Sequence, residues 1–132
     1  MQLKMLIADD DKELRDWIQL VFRHLDVAIF EARDGRELLS VLQEKGPFDL
    51  VITDLRMPGK SGLDAMSEAR KLGITVGVIL LTGYAGDVTV EMVARVGNVV
   101  LLSKPVDSRD LLAEATEIIM CSDRRRLPQD RG

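Results

Sequence analysis

The sequence has very little cysteine and histidine, with Cys121 and His24 as the only examples. A single cysteine excludes an internal disulfide and any metal site that needs a cysteine pair. His24 lies near the end of a predicted helix without a partner motif, so we interpret it as a solvated side chain. This cysteine usage fits a reduced, cytoplasmic setting.

Long apolar runs and an excess of basic residues are also lacking. The apolar run near the N-terminus is about five residues long, too short for a signal peptide or a membrane span. The formal net charge is −4, which argues against binding to nucleic acid by bulk electrostatics. We therefore expect no membrane association and no direct contact with nucleic acid.

Short apolar segments rich in branched residues alternate with longer segments of helical periodicity. Five strands buried on both faces are predicted over residues 3–8, 27–30, 48–53, 75–81 and 98–103. Five strand–helix units joined by short loops predict a parallel sheet covered by helices on both faces. The predicted fold class is therefore α/β, a flavodoxin-like (βα)5 sheet with strand order 2-1-3-4-5.

Helix signals lie between the predicted strands. Asp11 and Asp34 are predicted N-caps of the first two helices. The fourth helix, roughly over 86–96, contains several β-branched residues, which are mediocre helix formers. We assign residues 1–120 to one domain and 121–132 to a polar tail, either a natural end or the start of a linker to an output domain.

Polar side chains stand at the ends of four predicted strands. They are Asp9 and Asp10, Asp54, Thr82 and Lys104, after strands one, three, four and five respectively. Ligands of an open parallel sheet bind at the carboxyl ends of its strands, near the point where strand order reverses. The second strand ends at Glu31, which offers nothing comparable.

The residue types at these strand ends indicate phosphoryl chemistry. Three carboxylates in one crevice repel one another unless a cation joins them, and oxygen ligands without histidine or cysteine favour Mg²⁺. Lys104 suits a phosphate oxygen and Thr82 supplies a hydroxyl donor. Asp54 is the natural nucleophile, because carboxylates form aspartyl-phosphate intermediates.

Each of these residues also has an ordinary structural explanation. The aspartates of 9–11 could simply begin a helix, and Asp54 could stabilise an Asx turn. Lys104 could be a surface lysine and Thr82 an ordinary strand residue. The joint occurrence at four strand ends favours a functional site over these separate explanations.

The motifs around these residues resemble the receiver domain of two-component response regulators, over residues 3 to about 120. The matching segments are Ile7-Ala8-Asp9-Asp10-Asp11, Val51-Ile52-Thr53-Asp54-Leu55-Arg56-Met57-Pro58-Gly59, Ser61-Gly62-Leu63, Leu81-Thr82-Gly83 and Ser103-Lys104-Pro105. Their order and spacing make the resemblance specific.

The resemblance implies a role for each acidic residue. Asp54 accepts a phosphoryl group from a phosphohistidine on a sensor kinase. Asp10, Asp54 and the main-chain carbonyl of Arg56 ligate Mg²⁺ directly, and Asp9 holds the ion through water. Thr82 and Lys104 bind the phosphoryl oxygens in such domains, and the peptide bond between Lys104 and Pro105 is cis.

The sequence departs from the family pattern at a position that modulates signalling. Many receivers carry an aromatic residue three positions before the lysine, where this chain has Leu101. We therefore expect the signal to leave through Thr82 and the loop and helix that follow it. In such domains the residues two after the acceptor and two after the threonine flank the phosphoryl group. Here they are Arg56 and Tyr84, large enough to shield an acyl phosphate, which predicts a long-lived phosphorylated form.

Three functions remain open at this point. The first is a phosphorelay switch, not a turnover enzyme, with a sensor histidine kinase or a phosphotransfer protein as donor, acting alone or on an output domain, as a monomer or a phosphorylation-driven homodimer. The second is a phosphatase of the haloacid-dehalogenase type, which needs an acid at the position of Arg56. The third is a degenerate receiver that serves only as a protein-binding module.

Overall fold

Five parallel strands form one sheet in the order β2-β1-β3-β4-β5 in the computed structural model, which describes residues 2–83 and 85–126. The strands are β1 (Leu3–Ala8), β2 (Val27–Ala32), β3 (Leu50–Asp54), β4 (Val78–Thr82) and β5 (Val99–Ser103). The helices are α1 (Lys12–Val21), α2 (Gly35–Lys45), α3 (Gly62–Lys71), α4 (Val90–Val96) and α5 (Ser108–Arg126). The predicted α/β class and strand order are confirmed.

Two apolar layers cover the two faces of the sheet. Alternate residues of a strand point to opposite faces, and in β3 Val51 packs with α2 and α3, whereas Leu50 and Ile52 pack with α1 and α5. All five residues of β3 and of β4 are buried. The expectation that every strand is buried on both faces is wrong for the two edge strands, since β2 has one buried residue and β5 has none.

Side-chain caps begin the first three helices. The Asp11 carboxylate accepts hydrogen bonds from the main-chain N–H groups of Glu13 and Leu14, and Asp34 accepts one from Glu37. Both predicted N-caps are thus confirmed. Because Asp11 caps α1, it fixes where the helix starts relative to the end of β1.

Several strand ends differ from the sequence prediction by one or two residues, and three elements differ further. Strand β4 begins at Val78, because the preceding carbonyls of Ile74 and Val76 accept hydrogen bonds from the Arg70 guanidinium. The fourth helical region is divided into a 3₁₀ turn at Ala85–Asp87 and the short α4. Helix α5 continues to Arg126, so the backbone of 121–126 is helical, and 127–132 lies outside the described residues.

No helix in the described part of the chain combines the length and the apolar character that crossing a membrane requires. The division into a domain and a tail at residue 120 stays a prediction.

Candidate functional site

Three carboxylates meet at the carboxyl edge of the sheet. Asp9 and Asp10 follow β1 and Asp54 ends the neighbouring β3, and each offers an oxygen within 4.8 Å of the others. The pairing of Ala8 with Thr53 sets this register. Asp9 and Asp54 are buried, whereas Asp10 is exposed.

Lys104 reaches this acidic cluster from the end of β5. Its Nζ lies 3.2 Å from Oδ1 of Asp54 and 3.6 Å from Oδ2 of Asp9. Its main-chain N–H donates to the carbonyl of Thr82 over 2.8 Å, and the peptide bond to Pro105 is cis. Burial alone lowers the pKa of Lys104, but the Asp54 and Asp9 carboxylates outweigh it and raise the pKa. The lysine therefore carries its positive charge at neutral pH.

Burial disfavours the charged form of the Asp9 carboxylate. Burial raises the pKa of Asp9 to about 6, with a smaller upward contribution from Asp54, against the lowering effect of a hydrogen bond from the Asp11 main chain. That bond, 2.8 Å long, occupies Oδ1. Oδ2 is buried and, within the described residues, has no hydrogen-bond partner. A charged Asp9 thus has a buried oxygen that is not satisfied by hydrogen bonding.

This arrangement fits a hard divalent cation. Carboxylate oxygens are the ligands that Mg²⁺ prefers, and Mg²⁺ completes its coordination with water and phosphate oxygens rather than with a full protein cage. Exposed Asp10 leaves the cluster open to solvent, and Oδ2 of Asp9, which pairs with Lys104 over 3.6 Å, accepts no hydrogen bond within the described residues. An ion here would also relieve the repulsion among the carboxylates.

The predicted sensing residues lie along the same edge or next to it. Thr82 is buried at the last position of β4, the strand beside β3. Leu101 lies on β5 with 39% of its surface exposed, so it faces solvent rather than the core. Tyr84 lies outside the described residues.

The side chain of Arg56 contacts the segment after β4. Its Nε donates to Oδ2 of Asp87 over 2.9 Å, and the same carboxylate also pairs with its Nη2. Arg56 is largely exposed in this pair. The sequence placed Arg56 beside the acceptor but did not reveal this bridge between the loop after β3 and the 3₁₀ turn.

A buried arginine next to the acidic cluster was missed from the sequence. Nη1 of Arg15 donates to the carbonyl oxygen of Asp9 over 2.6 Å, and its Nε donates to Oε1 of Glu31 over 2.9 Å. Glu31, set aside as offering nothing comparable, therefore contacts the site through Arg15. The signal that could have found it is a charged residue between Leu14 and Ile18 on the apolar stripe of α1.

Comparisons with known proteins agree on one family. The family model described as response regulator receiver domain matches residues 5–116. The chain is 29% identical over 126 residues to the response regulator protein PilR of Pseudomonas aeruginosa, covering 96% of the chain and 27% of that protein. It is 37% identical over 113 residues to the transcriptional regulatory protein HptR of Staphylococcus aureus, covering 82% of the chain and 43% of that protein. The chain thus spans less than half the length of these relatives.

A solved structure supports the same grouping. A response regulator receiver domain protein from Clostridium thermocellum superposes with a TM-score of 0.79 at 27% sequence identity. The match covers 92% of this chain and 97% of that one.

Proposed function

Because the chain belongs to the response regulator receiver domain family, we propose that it is a phosphorelay switch whose acceptor is Asp54. The donor is a phosphohistidine of a sensor kinase or of a phosphotransfer protein. A carboxylate oxygen of Asp54 attacks phosphorus, the P–N bond to the donor imidazole breaks, and an acyl phosphate forms. The leaving imidazole keeps the electron pair of that bond and takes a proton from solvent.

One observation carries this proposal: Asp54 is buried between two further carboxylates and the ammonium of Lys104, 3.2 Å from its Oδ1. Mg²⁺ would be held directly by Asp10, Asp54 and the carbonyl of Arg56, and by Asp9 through water. When bound, it supplies charge neutralisation for the phosphoryl oxygens.

Lys104 and Thr82 then bind the phosphoryl oxygens of the product. Lys104 already lies against the acceptor, and Thr82 ends the adjacent strand. The signal passes from Thr82 to the segment after β4 and to α4, because Leu101 in place of an aromatic residue has no hydroxyl to expose or hide. Pro105 shapes the loop after Lys104. Arg56 and Tyr84 shield the acyl phosphate and prolong its lifetime.

The biological setting follows from the same proposal. The protein acts in the cytoplasm, and its donor docks on α1 and the loop after β5. Signal output goes to a further domain or a partner protein, with phosphorylation-driven pairing of two copies as one route. A haloacid-dehalogenase type phosphatase is disfavoured, because Arg56 occupies the position of the second acid that such an enzyme needs.

Acetyl phosphate with Mg²⁺, followed by intact mass measurement, tests the acceptor. The expected result is a gain of about 80 Da, one phosphoryl group on one carboxylate. The gain is lost in Asp54→Asn and kept in Asp64→Asn, a matched change at an exposed aspartate of α3. A wild-type chain that gains no mass, or an Asp54→Asn chain that does, overturns the proposal.

A further inference from the structure

Arg15 is a buried cation with two well-formed hydrogen bonds. Its side chain is 9% exposed, and its two bonds go to the carbonyl oxygen of Asp9 and to the carboxylate of Glu31. A guanidinium is costly to bury unless it is paired. Glu31 supplies the pairing charge from β2, and the bond to Asp9 uses a second N–H group of the same planar fork.

Three of the atoms of Asp9 are held by neighbouring elements. Its main-chain N–H donates to the carbonyl of Ala32 over 3.0 Å, its own carbonyl accepts from Arg15, and its Oδ1 accepts from the N–H of Asp11. The Arg15 bond is the shortest of these three, at 2.6 Å. Asp9 is therefore fixed by β2, by α1 and by the turn that joins β1 to α1.

Holding the carbonyl of Asp9 also orients Asp10. A peptide unit is planar, so fixing the carbonyl oxygen of one residue fixes the main-chain nitrogen of the next. The direction in which the Asp10 side chain leaves the backbone is restricted accordingly. Asp10 itself is exposed and offers its carboxylate to the cluster, so its backbone is the part that the fold can control.

Arg15 contacts the main-chain carbonyl of Asp9 and not the Asp9 carboxylate. Its positive charge is directed toward Glu31. The guanidinium therefore leaves the acidic cluster free to take a separate cation.

We infer that Arg15, clamped by Glu31, is a positioning residue that orients the Asp9–Asp10 pair for Mg²⁺ binding. This inference rests on the proposed function of the site. Groups that orient metal ligands without touching the ion typically change metal affinity by about 10–100-fold when they are removed. We expect Arg15 to fall in that range and Glu31 below it.

The test measures Mg²⁺ dissociation constants by calorimetry on the full chain, without a phosphoryl donor. Arg15→Met is expected to weaken Mg²⁺ binding by about tenfold or more, and Glu31→Gln by a few-fold. Arg15→Lys, which keeps the charge and one donor, recovers part of the loss. Arg23→Met, the same substitution at an exposed arginine just after α1, leaves the constant unchanged.

Two further readouts separate positioning from a general structural role. Urea unfolding reports how much stability each variant has lost. The rate of phosphorylation by acetyl phosphate is also followed as a function of Mg²⁺ concentration. In the variants the Mg²⁺ concentration that gives half the maximal rate is expected to rise, and the maximal rate to stay within about twofold of the wild-type rate. Should Arg15→Met fail to fold, Arg15→Lys and Glu31→Gln carry the test.

Wild-type Mg²⁺ affinity in folded Arg15 and Glu31 variants overturns the inference, whatever their stability. The proposed function can fail separately. A wild-type chain that binds Mg²⁺ but gains no phosphate would overturn the phosphorelay proposal and leave the positioning role of Arg15 standing. A wild-type chain that binds no Mg²⁺ overturns both.

Discussion

The two sides of Asp54 are built in opposite ways. On the β1–α1 side, the backbone and side chain of Asp9 are held by buried or short hydrogen bonds. On the β4–α4 side, a side chain at Gly83 would meet none of the described residues within 4 Å, and the only buried residue of the seven in α4 is Val96. Under the proposed function, the tightly held β1–α1 side, here called the fixed side, would bind the ion, and the β4–α4 side, here called the looser side, would report phosphorylation.

The two ends of α4 on the looser side are held by different numbers of contacts. Arg70 donates to the carbonyls of Val96 and Gly97, so the C-terminal end of α4 is tied to α3. The N-terminal end depends on the Thr89 hydroxyl, which accepts from the N–H of Met92 over 3.2 Å, and Val90 beside it is 84% exposed. Movement of α4 is therefore expected to be largest at its N-terminal end.

The largest expected effect comes from adding one methyl group at each of two glycines near the acceptor, Gly62 at the start of α3 and Gly83 on the β4–α4 side. A Cβ at Gly62 would overlap with the carbonyl oxygen of Asp54 and lie 2.6 Å from Oγ1 of Thr53, whereas a Cβ at Gly83 meets no described residue within 4 Å. Gly62→Ala is expected to cost about 3 kcal/mol of unfolding free energy, and Gly83→Ala to change it by less than about 0.5 kcal/mol. Urea unfolding of both variants measures these losses of unfolding free energy. Equal losses would show that the chain is packed as tightly around Gly83 as around Gly62.

A smaller effect is expected from the proton on Asp9. Its pKa of about 6 in the folded chain lies above the ordinary value of 3.8. The folded state therefore keeps a proton that the unfolded state loses, and this stabilisation disappears as pH rises from about 4 through 6. The loss amounts to roughly 2–3 kcal/mol, since one pKa unit is about 1.4 kcal/mol.

Unfolding at pH 5 and pH 7.5, with and without Mg²⁺, measures the part of this loss that falls above pH 5, about 1.4 kcal/mol. Asp9→Asn is expected to lose less stability than the wild type between the two pH values, and Mg²⁺ should restore the wild type at pH 7.5. Asp64→Asn, at an exposed site, should follow the wild type. If Asp9→Asn left the pH dependence of the unfolding free energy unchanged, the charge on Asp9 would not be what destabilises the fixed side above pH 5.

The sequence predicted the fixed side better than the looser one. The aspartates at the ends of two adjacent strands follow from strand periodicity and parallel topology, because the carboxyl ends of parallel strands share one edge. The ion pairs near these aspartates cannot be predicted from the same pattern, since they join residues far apart in the chain. Arg15 with Glu31 and Arg56 with Asp87 are the two examples.

The ends of elements were also harder to predict than their existence. The sequence predicts residues 75–77 as part of β4. The carbonyls of Ile74 and Val76 instead accept from the Arg70 guanidinium, and that of Thr75 accepts from the Asn98 amide. The valine-rich segment before Gly97 forms a helix in spite of its modest propensity, since a Thr89 cap and burial of Val96 support it.

The smallest expected effect concerns the protection of α4 itself. Because α4 buries a single residue and ends seven residues after its cap, its amides are expected to exchange with solvent faster than those of the other helices. Thr89→Ala should remove about 1 kcal/mol from its local opening free energy, whereas Ser61→Ala, which removes the matching cap of the better buried α3, should leave exchange in α4 unchanged. Hydrogen exchange followed by mass spectrometry or NMR resolves these segments.

Faster exchange in α2 or α5 than in α4 would mean that the looser side is no less protected than the rest of the fold. The signalling route has its own test: phosphorylation that leaves the chemical shifts of residues 83–96 unchanged would exclude this segment from it.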